Sequence, residues 1–355
     1  MEETMLQGEK VALTKEPTPE RIMQTGMGFW VSKTLLSAVK LQLFSLLADG
    51  PLSGAAIKER LSLNTTQRHV YDWLDTLVSL DFLRRDGLLD NAVYSNTPET
   101  NLFLDKNKPS YMGGILEMSN NRLFRHWADL EEGLRTGLAQ NESKTGNMHF
   151  FEQLYKDPVQ LQEFMDAMSG IQTGNFMMLT SKFDFGRFDT LTDIGGADGT
   201  LSIHICNRFP NIHCSTFDLP PVAPVATKKI AQSGLTDRIT VVAGDFLTDA
   251  ITKASVITMG NILHGLDEEG KQLLIDKVYD ALPEDGVLIA IENIIDNDRR
   301  QNTFGMLMSL NMLIENGNAF DYTMNDFEQW TQQAGFKRTE IISLAGPASA
   351  AIAYK

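Results

Sequence analysis

Three apolar runs in the second half of this sequence each end in an acid, and the first acid opens onto a cluster of glycines. Phe188–Leu191 leads into Asp193-Ile194-Gly195-Gly196-Ala197-Asp198-Gly199, His213–Phe217 into Asp218-Leu219-Pro220, and Ile239–Ala243 into Gly244-Asp245-Phe246. Glycines between a strand and a helix let backbone N–H groups approach a ligand where a side chain would stand in the way. The spacing from Gly195 is G-G-A-D-G rather than G-x-G-x-x-G, which misplaces the third glycine of a dinucleotide site. A pyrophosphate ligand, and with it an NAD-dependent oxidoreductase, is disfavoured. An acid after the second run suits the two hydroxyl donors of a ribose. Three acids with no lysine for phosphate describe a nucleoside-like ligand that carries none, and S-adenosylmethionine fits that description.

A fourth run ends in Met259-Gly260-Asn261-Ile262-Leu263-His264 and a fifth in Ile291-Glu292. A carboxylate beside an imidazole fixes its tautomer and stabilises the imidazolium formed on taking a proton, so His264 is a candidate general base; a structural histidine is the competing reading. Methyl transfer from a sulfonium is an in-line displacement, in which the protein positions the acceptor and removes its proton. A single imidazole suits a phenol-like or enol hydroxyl. A thioether acceptor would need no base at all. The only cysteines, Cys206 and Cys214, have neither metal-ligand spacing nor a disulfide framework, which predicts a reduced, cytoplasmic protein without a metal.

Parallel-sheet runs must position these residues. Leu191–Ile194, His213–Phe217, Ile239–Ala243, Val256–Met259 and Val287–Ile291 are separated by helical patterns over Leu201–Arg208, Pro221–Ser233 and Asp267–Ala281. A helix over Met324–Ala334 stops at Gly335, and strands over Thr339–Leu344 and Ala350–Tyr354 follow. The alternation predicts an α/β, doubly wound Rossmann-like sheet, whose ligands bind at the strands' carboxyl ends. Ahead of it, apolar residues recur at helical spacing from Pro19 to Leu47, with Thr18 as cap and Pro19 in the first position. Ser53 caps a helix over Ala55–Leu61, Thr65 a second over His69–Leu80, and Phe82–Arg85 and Ala92–Ser95 flank the turn Asp86-Gly87. That order is a winged helix. Its second helix mixes Arg68 and His69 with Asp72 and Asp75, which favours association over DNA reading, and Phe29, Trp30, Leu35 and Leu36 suggest a dimer face. Between the two regions, Met112, Met118, Phe164, Met165, Met168, Phe176, Met177 and Met178 recur at helical spacing, either as core or as the lining of a substrate pocket. The predicted organisation is a flexible tail at 1–17, a winged-helix dimerisation domain at 18–110, a helical linker at 111–184 and a catalytic domain at 185–355.

A chain of 355 residues can bury a core of two domains. Its net charge of -15 argues against nucleic acid or an acidic membrane as partner, since both need a basic face. No apolar run is long enough to span a bilayer, and Met1–Lys10 is polar and acidic, unlike a signal segment.

From Pro19 onward the chain resembles the plant-type small-molecule O-methyltransferases of secondary metabolism and their bacterial relatives, which include acetylserotonin, caffeate and polyketide methyltransferases. The residues that carry the resemblance are the glycine loop, Asp218-Leu219-Pro220, Gly244-Asp245-Phe246, Leu263-His264 and Glu292 behind a winged helix. It implies that Asp193, Gly195, Gly196, Asp218, Leu219, Gly244 and Asp245 hold S-adenosylmethionine, with Phe246 packing on the adenine. It implies that His264 deprotonates the acceptor hydroxyl, flanked by Glu292 and Asp321, and that Met118, Phe164, Met168, Met312 and Asn316 line the acceptor pocket. Family dimers exchange N-terminal helices, which implies a homodimer in which Met27 and Phe29 reach the neighbouring subunit's pocket. Two positions depart from the pattern. Gly260, on the cofactor side, stands where plant members often carry a lysine, and His264-Gly265-Leu266 replaces the usual His-Asp-Trp, removing a polar group and a ring beside the base. The second change, with the Met-rich linker, leaves open an S-methyltransferase acting on a thioether such as 4-methylthio-2-hydroxybutyrate. The other alternative is a non-catalytic winged-helix regulator that binds DNA.

Overall fold

The computed structural model describes residues 17–108, 110–145 and 154–355, so all but Pro17 of the predicted tail lies outside the described residues. The N-terminal apolar stretch forms three helices instead of one: Glu20–Gly26, Gly28–Lys40 and Leu43–Leu46. Gly26 and Gly28 flank the first break, where glycine weakens a helix, and Gln42 turns left-handed (φ 56°) at the second. Thr18 is not the cap; Pro19 occupies that position without a side-chain hydrogen bond. Ser53 does cap the Gly54–Arg60 helix, accepting from Ala56 N–H at 3.2 Å. The second helix, Gln67–Ser79, is capped by Thr66 rather than Thr65, whose hydroxyl instead meets His69 Nδ1 at 2.9 Å. Strands β1 (Leu52–Ser53), β2 (Leu83–Asp86) and β3 (Val93–Asn96) pair antiparallel in the order β1-β3-β2. The wing is longer than a tight turn because a short helix, Leu89–Asn91, lies between β2 and β3. Leu43, Phe44, Ile57, Leu74, Leu77 and Tyr94 close the core of this region.

The C-terminal region is built on β4 (Thr190–Ile194), β5 (His213–Asp218), β6 (Ile239–Ala243), β7 (Val256–Gly260), β8 (Val287–Glu292), β9 (Arg338–Ser343) and β10 (Ser349–Tyr354), in the spatial order β6-β5-β4-β7-β8-β10-β9. The strands from β4 to β8 are parallel. Only β10 opposes them: it runs antiparallel to both β8 and β9, so β9 points the same way as β8 and the sheet is mixed at that edge. The period of two is plain in β8, where Val287, Ile289 and Ile291 enter one core while Leu288 and Ala290 enter the other. By the same parity Glu292 emerges on the face of Leu288 and Ala290, which is covered by Glu268–Ala281 and Met324–Ala334. The chain winds from β4 outward to β6, then returns to β7 on the other side of β4, and the crevice at that reversal is where ligands of such sheets bind.

Asp157 and Pro158 start a long linker helix, Pro158–Lys182, with Asp157 accepting from Val159 and Gln160 N–H. It packs against Gly113–Met118 and against Thr200–Arg208, the helix that follows the glycine loop. A helix over Thr303–Asn316, which the apolar pattern of the sequence did not announce, is capped by Asn302 and lies beside the His264 turn.

Candidate active site

The loop after β4 is shaped by contacts with the end of β5. Gly195 (φ 63°) donates to the Phe217 carbonyl at 2.8 Å, and a Cβ there would meet Ile262 Cδ1 at 2.2 Å. A Cβ on Gly196 would meet Thr216 Oγ1 at 2.2 Å, so backbone alone fits. Asp218 accepts from Ala197 N–H at 2.9 Å and from Leu219 N–H at 2.7 Å; burial nevertheless pushes its carboxyl up. Ala197 is held at φ 49° and Asn261, after β7, at φ 53°, two left-handed residues on either side of the crevice. Asp193 lies beneath the loop: it is buried, accepts from Thr258 Oγ1 at 2.7 Å, and burial brings its carboxyl up to about 7. At the end of β6, Gly244 N–H donates to the Asp218 carbonyl at 2.9 Å, and Asp245 accepts from Leu247 N–H at 2.9 Å. Phe246 is half-buried against the core, and a Cβ on Gly260 would meet nothing within 4 Å. A backbone cradle with a half-buried acid at each of two neighbouring strand ends fits a phosphate-free nucleoside. The cation beside the loop, Lys229, is taken up by Asp198 at 2.5 Å and is not offered to a phosphate.

The candidate base sits across the crevice. A short turn, Leu263–Gly265, follows β7 and holds His264 buried (8 % exposed). One oxygen of Glu292, Oε1, accepts from Ile262 and Leu263 N–H at 3.1 and 3.0 Å and so fixes the turn to the end of β8. Its other oxygen lies 3.8 Å from His264 Nδ1, and Asp321 Oδ1 lies 3.4 Å from the same nitrogen. Burial alone would lower the imidazole's pKa, but Glu292 and then Asp321 outweigh it and the net shift is upward. Burial pushes Glu292 up to about 7, with His264 opposing and Asp321 adding to the rise. Because both acids face Nδ1, that nitrogen carries the proton and Nε2 is left as the basic atom. The three side chains also have donor atoms within 4.8 Å of one another, a spacing a divalent cation could use.

The pocket residues named from the sequence divide into groups. Asn316 Nδ2 donates to the Gly265 carbonyl at 3.4 Å, and Met312 is buried one turn earlier on the same helix. Ser309, which the sequence reading missed, completes that stripe and accepts from Asp321 N–H at 3.2 Å. Phe164 instead packs against the cluster of Leu154, Leu161, Met165 and Val222, which Ala197 of the glycine loop also joins. Phe176 belongs to the main core and Met177 is exposed, so neither joins the crevice. Met118 and Met168 are half-buried on the two linker helices that pack together. Asp198 was also passed over: it accepts from Ser169 Oγ at 2.7 Å and so ties the glycine loop to the linker helix next to Met168. An acid inside the loop was its visible signal.

Residues 127–337 match the O-methyltransferase domain family, and residues 23–106 match the O-methyltransferase dimerisation domain. The tetracenomycin polyketide synthesis 8-O-methyl transferase of Streptomyces glaucescens is 35% identical over 337 residues, covering 95% of this chain and 97% of that one. An N,N-dimethyltransferase of Streptomyces rimosus is 28% identical over 316 residues, 89% of this chain and 90% of its own. The crystal structure of human N-acetylserotonin methyltransferase in complex with S-adenosylmethionine superposes with a TM-score of 0.86 at 25% identity, over 96% of this chain and 99% of the other. Among the described residues no helix is long and apolar enough to cross a membrane. The chain therefore belongs to the O-methyltransferase family: it is an S-adenosylmethionine-dependent enzyme that methylates a hydroxyl of a small-molecule metabolite and carries the family's dimerisation domain.

Proposed function

We propose that this enzyme methylates a phenolic hydroxyl on a fused-ring polyketide, with His264 as general base. The observation that carries the reading is the facing of Asp321 and Glu292 onto Nδ1 of a buried His264 at the carboxyl end of the sheet. Gly195, Gly196, Asp218, Leu219, Gly244, Asp245, Phe246 and Gly260 hold the donor, with Asp193 supporting the glycine loop from beneath. Bound S-adenosylmethionine supplies an electrophilic methyl group on its sulfonium. Nε2 of His264 takes the acceptor's proton as the oxygen attacks, and the two carboxylates stabilise the imidazolium that results. Phenols suit such a base because they lose a proton far more readily than alcohols do. Met312 and Asn316 meet the acceptor beside His264, while Met118, Phe164 and Met168 shape the linker side. The polyketide class is supported by the 35% identical relative, whose own reaction is 8-O-methylation in tetracenomycin synthesis.

The working enzyme is proposed to be a homodimer that pairs through its first helices. Ile22, Met23, Phe29, Trp30 and Val31 expose between 46% and 73% of their surface there, an apolar face that a second copy would cover. Nucleic acid is not the partner of the winged helix: Arg68 is already paired with Asp72 at 3.0 Å, and the chain carries a net charge of -15.

His264→Ala separates binding from chemistry. Adenosylmethionine affinity by calorimetry should be unchanged, while turnover of a dihydroxynaphthalene falls by about two to four orders of magnitude. Turnover within a few-fold of the unmutated enzyme would remove His264 from the reaction. Methylation of an arylamine but of no phenol would point to nitrogen as the acceptor atom.

A further inference from the structure

Lys271 has no exposed surface (0%) although its side chain ends in an ammonium. It stands near the start of Glu268–Ala281, on the buried stripe of Leu274, Ile275 and Val278, where a charge is costly to hold. Burial lowers its pKa to about 8, with the surrounding acids opposing that shift. Nζ donates to the carbonyl of Leu266, the residue that ends the turn carrying His264. The same atom lies 3.5 Å from the ring centroid of Phe320 and 5.8 Å from that of Trp330. Phe320 directly precedes Asp321. The charged groups that face Lys271 are Glu292 at the end of β8, Glu268 and Asp267 at the start of its own helix, and Asp321, with His264 beyond them. Glu268 already accepts from Trp330 Nε1 at 2.8 Å and Asp267 from Asn318 Nδ2 at 2.8 Å. By contrast, Glu292 Oε2 and both oxygens of Asp321 make no close hydrogen bond among the described residues, with His264 Nδ1 facing them at 3.8 Å from Glu292 Oε2 and 3.4 Å from Asp321 Oδ1.

We propose that Lys271 is a positioning residue for proton removal: its buried ammonium ties the His264 turn to the Phe320–Asp321 segment and supplies the positive charge that balances the acids around His264. The inference rests on the reading of His264 as the base. Without that ammonium Glu292 is harder to keep charged, and the imidazole, no longer repelled by a neighbouring cation, takes a proton more readily. Both effects move the acidic limb of the activity profile to higher pH.

The test uses the full-length protein with Lys271→Met, Lys271→Gln and Lys271→Arg. With a dihydroxynaphthalene as acceptor, the two neutral variants should lose roughly tenfold in kcat at pH 7 and shift the acidic limb upward by about half a unit or more, while cofactor affinity stays within about twofold. Lys271→Arg, which keeps the charge, should keep the limb where it is. Titration of the His264 ring by NMR, assigned by loss of its signal in His264→Asn, should show a higher pKa in the neutral variants. This readout does not depend on what His264 does in the reaction. Normal turnover in His264→Ala with a shifted ring titration would sink the base alone. An unshifted His264 titration in the neutral variants, or equal losses in all three variants with an unmoved limb, would overturn the role given to Lys271. Should the neutral variants fail to fold, the unmutated protein decides: its His264 ring signal should carry an inflection near pH 8 as Lys271 loses its proton, and a trace without one counts against the proposal.

Discussion

Asp218 accepts from the N–H groups of Ala197 and Leu219, so the carboxylate proposed to face the ribose also shapes the loop that approaches the ligand. Hydrogen bonds to a charged group contribute roughly 1.5–3 kcal/mol each. Asp218→Ala should therefore weaken adenosylmethionine binding by about 10- to 100-fold, measured by calorimetry, with the far-UV circular dichroism unchanged. An unaltered affinity would place the ribose elsewhere. Asp193 shows why residue type alone is a poor guide to role. It lies in register with Thr216, two residues short of Asp218, and is buried beneath the loop against Thr258, so whatever it contributes to the ligand reaches it through the shape of that loop.

At the scale of elements, the helix Thr303–Asn316 brings Ser309, Met312 and Asn316 beside the His264 turn, on the proposed acceptor side, and an ion pair holds it in place. Glu315, from the same helix, takes a forked pair of bonds from Arg122 at 2.5 and 2.7 Å, and both side chains are buried. Arg122 lies in the π-turn Ser119–Leu123 and also bonds Glu142, so it joins the linker to the acceptor helix. Arg122 keeps its bonds to Glu142 when Glu315 is neutralised, so the loss is that of charged hydrogen bonds, about 1.5–3 kcal/mol. Glu315→Gln should lower unfolding stability in urea by that order and raise the acceptor KM more than the cofactor Kd. Equal changes in both constants would show that the helix does not act on the acceptor side alone. The linker helix behaves differently from its sequence: its methionines and phenylalanines are divided between core, loop cover and solvent, because a 25-residue helix turns every face toward something.

At the scale of the molecule, several groups tie stability to pH in one direction. Burial raises Asp193 and Glu292 to about 7, above their unfolded values near 4, so the folded state binds their protons more tightly. Their contribution is present at low pH and is lost as pH climbs through 7. His264 is raised as well, and its contribution, complete below about 6.5, is lost as pH passes its folded value. A net charge of -15 adds repulsion that grows in the same range. The cofactor-free enzyme should lose Tm between about pH 5 and 7, and Asp193→Asn should flatten that slope; a Tm that rises over that range contradicts the assignment. Most of the doubly wound frame was legible, because apolar runs of period two and helical stripes between them are local patterns, as the matching bounds of β6 and of Met324–Ala334 illustrate. The winged helix was legible for the same reason, with errors of one residue at the Thr66 cap and of three helices for one at the N-terminus. By itself the sequence determined most of the element types, the acids near the strand ends and the place of His264 after β7, since spacing along the chain sets those. Only the tertiary structure decided that β10 inserts antiparallel beside β8, that Asp321 closes on Nδ1 of a histidine 57 positions earlier, and that Lys271 and the Arg122–Glu315 pair are buried. Those contacts join segments far apart in the chain, and a buried charge is held by its distant partners rather than by its neighbours in sequence.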